Sequence, residues 1–117
     1  MENIQPYLVQ KTVTQGEVLA REGNEQDVLF FILWGSISLF ETDKNNKQHR
    51  VGSIGPGKFI VPQITGGSWD ALHTAQAELQ AMVAILSRES IAKMESEAPQ
   101  SAMLMYKYIS QVQTKRQ

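Results

Sequence analysis

Apolar and polar residues alternate in short runs along the first three quarters of the chain, and glycines separate the runs. Residues 28–34 (Val-Leu-Phe-Phe-Ile-Leu-Trp) are continuously apolar, the pattern of a buried or central strand. Residues 36–41 alternate, with Ile37, Leu39 and Glu41 on one face and Ser36, Ser38 and Phe40 on the other. Strands are also predicted at 11–15, around Thr-Val-Thr, at 17–21 and at 48–54. Polar turns at 23–27 and 43–47 and a tight Gly-Pro-Gly turn at 55–57 separate them. A short lead-in precedes the first strand, with Ile4, Tyr7 and Leu8 able to form one apolar face. Short strands at this spacing predict an antiparallel sandwich or barrel.

The pattern then changes twice. Residues 58–73 have no clean period and contain Pro62 and Gly66-Gly67, so this stretch reads as a loop with at most one turn of helix. In residues 74–86, Ala75, Ala77, Leu79, Ala81, Val83 and Ile85 recur at period two, which predicts a hairpin or one long bent strand. After Ser87 the period becomes helical. Ser87 is a suitable N-cap, Glu89 lies in the first turn, and Ile91, Met94 and Ala98 share a face. Pro99 opens a second helix whose stripe is Ala102, Met105, Ile109 and Val112. That stripe suits either a helix lying back on its own β-roll or a self-association seam of barely two heptads. The expected fold is therefore mainly β, an antiparallel jelly roll over about 11–86 with helices over about 87–113, in a single domain.

Composition narrows the function. The 117 residues are 42% hydrophobic and 20% charged, enough for one real core. A net charge of −1 gives no electrostatic footprint for nucleic acid, and Lys115-Arg116 reads as a solubilising tail. The chain has no cysteine, which excludes disulfides and thiolate catalysis. No apolar run approaches the ~20 residues of a membrane span, and the first residues lack the basic and apolar regions of a signal peptide. A soluble, cytoplasmic chain is expected.

Several segments together resemble the cyclic nucleotide-binding domain family. They are the Gly16-Glu-Val-Leu strand start, the acidic turn Glu22-Gly23-Asn-Glu-Gln-Asp27, Phe30-Phe-Ile-Leu-Trp-Gly35, the polar hairpin and Ile54-Gly-Pro-Gly57. Leu86-Ser-Arg-Glu-Ser-Ile-Ala-Lys-Met94 resembles the last strand and first C-terminal helix of the same family. The resemblance covers about residues 7–112 and implies a β-jelly roll flanked by helices, as in the catabolite activator protein and kinase regulatory subunits. Pro6-Tyr-Leu resembles the start of the domain appended to some bacterial sulfate permeases. The partners implied are other domains of a larger protein or a membrane transporter, which would place the chain at the inner face of the membrane. A homodimer through the C-terminal helix is a further expected partner arrangement.

The family holds the cyclic phosphate in a cassette after Gly-Pro-Gly: Phe-Gly-Glu, a short helix, then an arginine. The arginine pairs with the phosphate, backbone donors cradle it, and the glutamate accepts from the ribose hydroxyl. Here Val61 and Pro62 stand where Gly-Glu is expected, the arginine position falls near Ala71, and no arginine lies between Arg50 and Arg88. The residues left to line a degenerate cassette are Lys58, Phe59, Val61, Pro62, Gln63, Gly66, Gly67, Trp69 and His73. Lys58 and His73 are its only cationic candidates, and Gly66-Gly67 could offer backbone amides to an anion.

Other chemistry finds little support. Asp70 and His73 are three apart but have no triad or second carboxylate at a useful spacing. His49 and His73 are too few for a metal site, and a cupin-like enzyme would need more histidines on facing strands. Trp34 closes an apolar strand and reads as core, Trp69 as either pocket filler or surface, and the C-terminal methionines as packing. The expected function is a non-catalytic regulatory domain, without cofactor, that does not hold cAMP or cGMP tightly. The alternative is a small-ligand or variant nucleotide sensor using the same pocket.

Overall fold

The computed structural model describes residues 2–115, with side chains placed for 5–111. Ile4, Val112, Lys115 and Arg116, named above, lie outside the described side chains. A 3-10 turn at Glu2–Tyr7 leads into ten strands: β1 (Val9–Val13), β2 (Val18–Ala20), β3 (Val28–Trp34), β4 (Ile37–Thr42), β5 (Gln48–Ile54), β6 (Phe59–Ile60), β7 (Gln63–Thr65), β8 (Ser68–Asp70), β9 (Thr74–Ala77) and β10 (Ala81–Ser87). Two helices follow, α1 (Arg88–Glu97) and α2 (Pro99–Lys115). The strands form two four-stranded antiparallel sheets, β1-β10-β3-β6 and β2-β9-β4-β5, and a separate β7-β8 hairpin. This is the expected jelly roll followed by helices.

The long apolar run of β3 has a simple cause. Phe30 and Ile32 point into the roll, where they pack with Val13, Ile37, Leu39 and Val83. Leu29 and Phe31 point the other way, into a second cluster with Leu86, Ile91, Met94 and Met105. A strand covered on both faces needs apolar residues at every position. β10 is built alike: Ala81, Val83 and Ile85 face the roll while Leu86 joins the helical cluster. The helix stripe of Ala102 and Met105 is buried against the roll, with Ile109 half-buried beside it.

Three expectations needed correction. Trp34 is 44% exposed rather than core. The β10–β3 register pairs Met82 with Trp34 but Val83 with Ile32, so Leu33 is an extra residue. One inserted residue reverses the facing of everything after it, and Trp34 turns outward. Residues 74–86 are not one strand or one hairpin but two strands in different sheets, and Leu79 is 66% exposed at the crossing between them. Residues 58–73 contain no helical turn. They form β6 and the β7–β8 hairpin, whose Gly66 (φ 57°) and Gly67 (φ 83°) make a left-handed two-residue turn.

Gly35 is where backbone approach is closest. Its φ is 93°, and a Cβ there would lie 2.5 Å from the Ala81 Cβ and 2.8 Å from its Cα. Gly16 has a similar φ of 85° but nothing within 4 Å. In denaturant unfolding, Gly35→Ala should therefore destabilise by at least about 2 kcal/mol, combining left-handed strain with overpacking. Gly16→Ala should cost only the strain, about 1–2 kcal/mol. Equal losses would remove the packing argument.

Ser87 caps α1 as its sequence implies: φ −75°, ψ 156°, with its Oγ accepting from the Ser90 amide at 3.0 Å. Ser87→Ala should lower stability by about 0.5–2 kcal/mol. No shift of the unfolding midpoint would contradict the cap.

Candidate functional site

β6 leaves the roll next to the Gly-Pro-Gly turn, and this turn is anchored on two sides. The Gly57 amide donates to the Ile32 carbonyl at 2.9 Å, and the Tyr108 hydroxyl of α2 donates to the Gly57 carbonyl at 2.8 Å. The Phe59 ring lies against Phe31 (centroids 4.7 Å apart) and meets Tyr108 edge-on (5.9 Å). The start of the cassette is thereby tied to the central strand and the last helix.

Beyond β6 the candidate residues divide between two hollows. The first lies inside the roll and is small, about 50 Å³. Phe59, Val61 and His73 line it together with Leu39, Ile54 and Ile60 from the roll; Gln26 and Leu72 complete the wall. Gln26 is buried, and its Nε2 donates to the carbonyls of Val28 (2.8 Å) and Ile60 (3.4 Å). His73 Nε2 is 3.0 Å from Glu41 Oε2, so its polar edge is directed at a carboxylate. Ala71, at the expected arginine position, is 4% exposed, and its backbone is paired with Asn24 and Gly23.

The second hollow is an apolar groove of about 470 Å³ outside the roll. Val61, Pro62, Ile64 and Trp69 form the hairpin side, Leu29 and Ile91 the base, and Tyr106 and Ile109 of α2 the opposite side. The Tyr106 hydroxyl donates to Glu95 at 2.7 Å; burial, and then that bond, push its pKa up to about 12. Lys58, Gln63, Gly66 and Gly67 line neither hollow.

Asp70 and His73 are not a pair. Asp70 accepts from the Ser68 hydroxyl at 3.1 Å, while His73 faces Glu41. Among the described residues no three His, Asp or Glu side chains gather as metal ligands, and no helix is long and apolar enough to cross a membrane.

The residue that sequence reading missed is Arg88. Its guanidinium lies 5.0 Å from the Trp69 ring centroid, donates to the Gly67 carbonyl at 2.7 Å and stands 3.7 Å from Asp27. It therefore grips the hairpin tip from the first residue of α1. The Gln26 backbone N–H adds a bond to the Trp69 carbonyl at 2.9 Å. The available signal was the Gly-Gly pair between two three-residue runs, which marks a hairpin.

Residues 10–97 match the family model for the cyclic nucleotide-binding domain. The chain belongs to the cyclic nucleotide-binding domain family. Among solved structures it is similar to a cyclic nucleotide-binding domain from Methylobacillus flagellatus KT, with 21% identity and a TM-score of 0.85 over 95% of this chain and 62% of that one. A c-di-GMP-responsive global regulator of Xanthomonas campestris matches at 18% identity and TM-score 0.79, over 98% of this chain and 56% of that one. The catabolite activator protein of Thermus thermophilus matches at 18% identity and TM-score 0.77, over 98% and 52%. At these identities the likeness is one of fold, and the chain spans little more than half the length of these proteins. No curated protein matches the chain.

In this family member the cassette region is a hairpin held by Arg88. Arg88→Gln should speed amide hydrogen exchange across residues 63–70, read by NMR, while global stability falls by only about 0.5–1 kcal/mol because the contact is exposed. Unchanged exchange in the hairpin would mean that Arg88 does not hold it.

Proposed function

We propose that the chain is a non-catalytic regulatory module of the cyclic nucleotide-binding type whose nucleotide site is degenerate. The observation that carries this reading is the state of the roll interior. A hollow of about 50 Å³ is far below the ~300–1,000 Å³ of small-ligand sites. Val61 and Leu72 help to wall it, and the one cationic candidate on its lining, His73, already faces Glu41. A cyclic phosphate placed there would meet no guanidinium. Leaving a buried charge without its partner costs about 3–5 kcal/mol, enough to erase a micromolar site.

A regulatory rather than enzymatic role fits the separation of Asp70 from His73 by their different partners. The module would act on other domains of a larger protein or on a membrane transporter, from the cytoplasmic side. The competing reading, a sensor for another nucleotide in the same pocket, draws on the c-di-GMP response named for the Xanthomonas regulator. The small volume of the hollow weighs against it.

Isothermal calorimetry with cAMP, cGMP and cyclic dinucleotides tests the proposal. Dissociation constants for cAMP and cGMP should be no tighter than about 1 mM. Micromolar binding of either nucleotide would overturn the degenerate site and establish the variant sensor instead.

A further inference from the structure

We infer that the groove between the β7–β8 hairpin and the helices is a binding site for a small, uncharged, apolar molecule. It stands apart from the roll interior: of the residues lining the two hollows, only Val61 is shared.

Size is the first argument. About 470 Å³ lies within the range of small-ligand sites, whereas the roll interior is about a tenth of that. The shape is the second. Pro62 and Trp69 wall one side, Tyr106 and Ile109 the other, and Ile91 lies between them. A molecule seated there would touch the hairpin and both helices together. The hairpin wall is held in advance by the Arg88–Gly67 bond and the Gln26–Trp69 bond, so little ordering would be required on binding.

Chemistry sets the ligand class. The lining side chains are apolar apart from the Tyr106 hydroxyl, already engaged by Glu95, and the single indole N–H of Trp69. The nearest cation described at this wall, Arg88, is stacked on Trp69 and bonded to the Gly67 carbonyl, with Asp27 beside it. A charged ligand would lose its water and find no group of opposite charge among the lining residues. A flat or branched hydrocarbon body would instead meet Trp69 and aliphatic side chains.

Such a ligand would bear on regulation directly. It would bridge Trp69 of the hairpin to Tyr106 and Ile109 of α2 and so favour one placement of that helix over others. The roll interior would not be involved, and the outcome of nucleotide titrations would not alter the proposal.

The probe is 2-naphthol, titrated into the ¹⁵N-labelled chain. The Trp69 indole N–H signal should move saturably with a dissociation constant below about 1 mM, while that of exposed Trp34 stays fixed. Filling the groove with Ile109→Trp should weaken binding at least about tenfold without lowering the melting temperature. Should that variant unfold, Ile64→Trp, at a position 60% exposed on the rim, gives the same readout. 2-Naphthoate should bind at least about tenfold more weakly than the naphthol. The site is refuted by an absent or non-saturable shift, by equal movement of both indoles, or by undiminished binding to the filled variants. Tighter binding of naphthoate, lost on Arg88→Gln, would overturn the uncharged class.

Discussion

Everything in this domain leans on β3, a strand with no free face. Its inner residues, Phe30 and Ile32, close the roll; its outer residues, Leu29 and Phe31, are the floor on which the helices settle. The two cores are thus built on one backbone, and packing on one side fixes the strand against which the other side must fit. The connection to α2 is equally direct. Phe31 packs on Phe59, Phe59 on Tyr108, and Tyr108 bonds the Gly57 carbonyl. The loops of the roll and the last helix therefore share a rigid reference.

Much of this was legible in the chain. The unbroken apolar run of β3, the change of period at Ser87 and the Ser87 cap follow from local rules that tertiary packing reinforced. The failures came where one residue changes the count. Leu33 bulges, so Trp34 leaves the core that its position in the run implies. Leu79 keeps the rhythm of its neighbours but sits at the crossing between sheets, where no face is buried. Residues 63–70 looked aperiodic because each hairpin strand is only three residues long, too short to display alternation. The Gly-Gly pair could have marked the hairpin, but not Arg88 as its anchor: the partners of Arg88 lie 21 and 61 residues away, at Gly67 and Asp27, and only folding brings them together.

Under the proposed reading, a family scaffold and its chemistry have separated. The jelly roll needs Gly-Pro-Gly, the β3 run and the capped helix, and all three are present. Phosphate recognition needs a charge inside the roll, and that depends on a few side chains that the fold does not require. The side chains of Val61, Ala71 and Leu72 are apolar and have nothing to offer an anion. The candidate cassette residues lie close together along the chain, but the structure distributes them over the inside of the roll and its outside.

The grip of Arg88 on the hairpin has an evolutionary consequence. Its hydrogen bond is made to the main-chain carbonyl of Gly67, not to a side chain. Substitutions along the outer surface of the hairpin can therefore accumulate without breaking that bond. A one-residue insertion or deletion is another matter, since it would carry the carbonyl away from the guanidinium. Selection at this corner would act on loop length more strongly than on loop composition, allowing the hairpin to diversify its exposed residues while its anchorage to α1 persists.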